Sequence, residues 1–124
     1  MPVDWYALAD RTARAAIDAL PAGLRSGVSE IAITLDARPL PGEARQPGDD
    51  QALLGLFEGP TCAEIGGIES GWFAPVIRLY VENLRDEAED DPVRFCREVR
   101  TTLLHELGHY LGLEEDELER RGLA

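Results

Sequence analysis

The chain contains no lysine: all 12 of its basic residues are arginine. Schiff-base chemistry on a lysine amine is therefore excluded, and one route to covalent catalysis goes with it. Positive charge is scarce altogether, since 24 acids oppose those 12 bases and leave a formal net charge of −12. Nucleic acid and anionic membrane surfaces repel so acidic a chain, and neither is expected as a partner. The surplus suits divalent cations, basic partners or plain solubility. Lysine-free usage rich in alanine and arginine points to a GC-rich bacterial genome.

Cysteine is nearly missing as well. Cys62 and Cys96 are the only two and form no C-x-x-C pair, and no histidine lies near enough in sequence to build a second metal site with them. No signal peptide and no apolar run long enough to span a bilayer is found. The cytoplasm is thus the expected compartment, with both thiols reduced and Cys96 serving as a small hydrophobe on a helix. At 124 residues and 13.6 kDa the chain suffices for one core, so residues 1–124 are read as a single domain. There are no repeats.

What is present divides into clear segments. Trp5, Leu8, Ala9, Thr12, Ala16 and Leu20 recur at helical spacing, giving a helix over residues 4–19 that Pro21 and Gly23 end. Ile31, Ile33 and Leu35 alternate with Ala32, Thr34 and Asp36 as a half-buried strand. Ala37 to Asp50, rich in proline and glycine, reads as a loop. Leu53–Glu58 reads as a second strand, Gly59–Gly71 as irregular around Gly66-Gly67, and Ala74–Val81 as a third strand. Asn83 to Asp91 is acidic and expected to be solvated. Asp91-Pro92 opens the main helix with a capping carboxylate and a proline that loses no hydrogen bond. Cys96, Val99, Leu103, Leu107 and Tyr110 or Leu111 form its buried stripe, with Thr101 and Thr102 on its surface. Gly112 stops it, and Leu113–Arg121 forms a short final helix. Trp5 and Trp72 are expected core anchors, while Gly71-Trp72-Phe73 would make an interface if exposed.

The chain's only two histidines both fall in His105-Glu106-Leu107-Gly108-His109, on that main helix. Residues four apart share a helical face, so both imidazoles can address one ion. With the glutamate this is the H-E-x-x-H pattern of zinc hydrolases. Two histidines placed at random fall four apart in roughly one case in 64, and a glutamate after the first makes it roughly one in 560, so the motif is specific. Hydrolytic zinc takes three protein ligands and keeps a fourth position for water. After the reversal at Gly112 the candidates for the third ligand are Glu114, Glu115 and Asp116. The extended pattern H-E-x-x-H-x-x-G-x-x-ligand selects Glu115, with Asp116 as the alternative. Bound Zn2+ would activate water and polarise a carbonyl. Glu106, beside the ligand face, would act as the general base and return the proton to the leaving amine. A peptide or protein substrate would pair with an exposed strand edge, and Leu53–Glu58 is the candidate edge.

Leu54-Gly55-Leu56-Phe57-Glu58-Gly59, Pro75-Val76-Ile77-Arg78-Leu79-Tyr80 and Thr101 to Gly112 occur in the order that resembles the small bacterial zincin-like metallopeptidases. The resemblance covers roughly Leu53 to Arg121 and is weaker towards the N-terminus. It implies an α/β (α+β) minimal zincin-like domain, a few helices against a small sheet, with zinc on His105, His109 and an acidic third ligand. The family usually has aspartate where Glu115 stands here. Met1 is the only methionine, so the Met-turn of the larger metzincins has no counterpart. Two functional classes follow: a zinc-dependent metallopeptidase, or a non-catalytic zinc-binding domain for peptide or protein interaction. A metal-free relic is the third possibility. Oligomeric state and substrate stay open at this level.

Overall fold

A computed structural model describes residues 2–28, 31–40, 53–59, 75–113 and 115–120, with the backbone alone at 115 and 118. Most of the expected loop before Asp50, the Gly66-Gly67 turn, Cys62 and the Trp72-Phe73 surface lie outside these residues. Within the described residues, five helices and three strands follow in the order α1 Trp5–Asp18, α2 Ala22–Gly27, β1 Ala32–Asp36, β2 Gly55–Glu58, β3 Val76–Tyr80, α3 Val81–Glu87, α4 Pro92–Leu111 and α5 Glu115–Arg120.

Asp4 caps α1, its carboxylate accepting from the Ala7 amide. The buried face of α1 is small, made of Ala9, Ala13 and Ala16, and small side chains let it lie close to α4. Trp5 is half-buried and meets Phe95 edge-on, ring centroids 4.9 Å apart. Pro21 ends the first helix as expected, yet the chain then makes the extra turn-and-a-half of α2, for which the sequence offered only Leu24 as an anchor.

The three described strands form one sheet in the order β1-β3-β2, with β3 parallel to β1 and antiparallel to β2. Ile77 and Leu79, on the central strand, are fully buried against the helices. On the opposite face Arg78 bridges the two outer strands by pairing with Asp36 and Glu58. Strand β3 turns straight into α3 at Val81, one residue earlier than the alternation suggested.

The segment expected to be solvated, Asn83 to Asp91, is instead mostly helix and partly core. Val81, Leu84 and Ala88 lie three and four residues apart and are all fully buried, and Asn83 is buried with its amide donating to the Leu53 carbonyl and its oxygen accepting from Arg38. Acidic side chains obscured a sparse apolar stripe of correct period. Replacing Leu84, which is 0% exposed, by alanine is expected to cost about 2–5 kcal/mol in urea unfolding. A solvated position would change stability by less than about 0.5 kcal/mol.

Helix α4 starts as expected: Asp91 accepts from the Val93 amide and Pro92 occupies the first turn. Its buried side holds Phe95, Val99, Leu103, Leu104, Leu107 and Tyr110, whereas Cys96 and Leu111 are only half-buried. Gly112 ends it in the left-handed conformation at φ 73°, where the Gly112 and Leu113 amides close the last turn on His109 and Gly108 carbonyls. No helix among the described residues is long and apolar enough to cross a membrane.

Candidate metal centre

Helix α4 packs across β2, and that contact builds the site. Gly55 permits it. A Cβ there would fall 2.6 Å from Thr102 Cγ2 and 3.1 Å from the Arg78 carbonyl oxygen. Thr102 is thus part of the helix–sheet seam and not a plain surface residue as expected. The Gly55→Ala protein should lose about 1–3 kcal/mol through overpacking, and Thr102→Ala added to it should recover part of the loss. Urea unfolding of the two single variants and the double one checks this; additive losses would separate the two sites.

Two turns further along, the Tyr110 ring is buried and lies edge-on to Phe57, with centroids 5.7 Å apart. Between these contacts sits Glu106, which is 8% exposed. Its Oε1 accepts a 3.0 Å hydrogen bond from the Phe57 amide. The direction of that amide follows from the pairing. Tyr80 donates to the Leu54 carbonyl, so alternate residues of β2 face β3 and the amides between them face outward. Among the described strands β2 is an edge, as expected, but its outward amide at Phe57 is engaged by a helix side chain. A nearly enclosed carboxylate needs a donor, and the edge strand supplies it.

The two histidines converge as their spacing requires. Their rings approach edge-to-face with centroids 4.6 Å apart, and His109 Nδ1 lies 3.5 Å from Glu106 Oε1. His105 is half-buried, while the His109 side chain is 52% exposed and opens the group to solvent. One ligand atom from each of His105, Glu106 and His109 lies within 4.8 Å of the others. Glu106 is therefore closer to the imidazoles than a position off the ligand face suggested: its long side chain folds back towards them.

The acidic candidates stand differently. Glu115 opens α5, three residues beyond the Gly112 reversal, and only its backbone is described. Asp116 is exposed, approaches Arg120 at 3.8 Å and is not one of the residues that group with the histidines. Glu114 lies outside the described residues. The donor set suits a borderline cation such as zinc: two imidazoles one turn apart, with carboxylates at hand, match its preference for nitrogen and oxygen ligands.

A helix carrying paired imidazoles and a carboxylate, laid across the edge of a small mixed sheet, is the architecture of a zincin. The sequence profile described as Zincin-like metallopeptidase matches residues 28–123. The chain belongs to the zincin-like metallopeptidase family. The matched span begins before β1 and so reaches further towards the N-terminus than the stretch from Leu53 that carried the resemblance. A comparison with curated proteins finds no match.

Proposed function

We propose that the chain, a single domain over residues 1–124, is a zinc-dependent metallopeptidase that hydrolyses peptide bonds. His105 and His109 are two metal ligands, an acid of the α5 turn is the third (Glu115, with Asp116 as the alternative), and Glu106 is the general base. The observation that carries this reading is the convergence of His105, Glu106 and His109 within 4.8 Å in a member of this family. Zinc bound there supplies a Lewis acid for the scissile carbonyl and lowers the pKa of water to about 7.

The chain's own groups do the rest. Glu106 takes a proton from the attacking water and passes it to the leaving amine. Both contacts of its carboxylate fall on Oε1, so Oε2 is the oxygen left to exchange that proton. An extended peptide laid along β2 meets, at Phe57, an amide already engaged by Glu106. Pairing there and releasing the carboxylate towards the reacting water are then one event. The lysine-free, arginine-rich usage supports a bacterial source for this enzyme.

The test is to load the chain with zinc, incubate it with a mixed peptide library and read new termini by mass spectrometry. Cleavage that a chelator stops and zinc restores is the expected result. Stoichiometric zinc with intact peptides and a closed four-ligand site would instead identify a non-catalytic interaction domain.

A further inference from the structure

A second feature lies on another side of α4. Arg100 is five residues before His105, which places it roughly 140° round the helix from the first imidazole. Here α1 and α4 border a groove of about 400 Å³, lined by Leu8, Thr12, Ala15 and Ala16 of α1 and by Ala19 just past its end, and flanked by Arg11 and Arg100. Among the described residues no acidic side chain lines it, although acids outnumber bases two to one in the sequence.

The arginines of this face differ from the others. Arg14, Arg38, Arg78, Arg85, Arg94 and Arg120 each pair with an acid, and Arg25 donates to the Asp18 carbonyl. The side chains of Arg11, Arg97 and Arg100 make no hydrogen bond or ion pair among the described residues. Of these three, Arg11 and Arg100 line the groove.

We propose that the groove docks an acidic amphipathic helix of a partner protein. Its floor is made of alanines, over which a third helix can approach closely and bury an apolar stripe. Its two walls carry one guanidinium each, Arg11 from α1 and Arg100 from α4. Carboxylates flanking the stripe of the incoming helix would reach both, and the planar guanidinium binds carboxylate in paired hydrogen bonds. The chain's overall negative charge does not forbid this, because screening at physiological salt limits repulsion to charges within about 8 Å. The metal group faces elsewhere and stays accessible, so the docking does not depend on the peptidase reading.

The probe is a labelled synthetic helical peptide with leucine at i, i+3, i+4 and i+7 and glutamate on both flanks, followed by fluorescence anisotropy with the full chain. The expected result is saturable binding, about tenfold tighter than that of the same peptide with glutamine on its flanks, and weakened by salt. Arg11→Glu with Arg100→Glu should weaken it about tenfold or more. Ala15→Trp, at an exposed position that fills the groove without altering charge, should weaken it similarly. Both variants must keep the parent circular dichroism and melting temperature. If Arg11→Glu with Arg100→Glu fails that control, Arg11→Gln with Arg100→Gln replaces it, with a smaller loss expected. Binding that ignores the flanking glutamates, survives the arginine changes, or is absent overturns the proposal. So does a preference for anionic vesicles over the peptide, or a dimer of the chain that occupies the groove.

Discussion

Glu106→Gln should leave zinc bound and the fold intact while turnover falls by about 10²–10⁴-fold, the range typical of losing a general base. The logic lies in what glutamine keeps. Its side-chain oxygen still accepts from the Phe57 amide at the 3.0 Å site, so the seam between α4 and β2 survives. Its volume matches the nearly enclosed space that Glu106 fills. What it loses is the capacity to take a proton. Parallel measurement of zinc stoichiometry, melting temperature and peptide turnover separates these effects. A variant that turns over within tenfold of the parent, with zinc bound, removes Glu106 from the mechanism.

The second large effect concerns the ion. A ligand that binds only the folded state stabilises it by about 4 kcal/mol when present at a thousand times its Kd. For a domain of this size, 1 kcal/mol moves Tm by roughly 2–8 °C, so stripping zinc should lower Tm by about 10 °C or more. His105→Ala and His109→Ala should each abolish that increment. In the metal-free protein the same substitutions should change Tm little, because His109 is half exposed and neither ring belongs to the apolar core. Among the acids, Glu115→Ala should reduce zinc retention and Asp116→Ala should not. The opposite pattern moves the third ligand one residue along. Melting curves with and without chelator, read beside metal analysis, check all four substitutions.

How much of this was legible beforehand depended on periodicity. Helix α4 and its caps could be read from Asp91-Pro92, the apolar stripe and Gly112, and the histidine pair from spacing alone. The family was legible because its motif concentrates in one helix. Helix α3 was not, since Leu84 and Ala88 are isolated in an acidic stretch and are buried only because α1, α4 and β3 surround them. Phe95 was displaced from the expected stripe by Cys96, its neighbour, an error of one position in a helix whose buried arc is wide. The Glu106–Phe57 contact was not legible at all. It joins residues 49 apart, and no local pattern encodes which amide of an edge strand a distant carboxylate will meet. The parallel pairing of β1 with β3 was hidden for the same reason.

The Phe57 amide proton is therefore a spectroscopic reporter built into the chain. Held by a carboxylate oxygen, it should resonate well downfield in a nitrogen-edited proton spectrum and exchange slowly with deuterated solvent. Any inhibitor that draws Glu106 away would shift that single resonance, so binding could be followed beside the histidine pair without turnover.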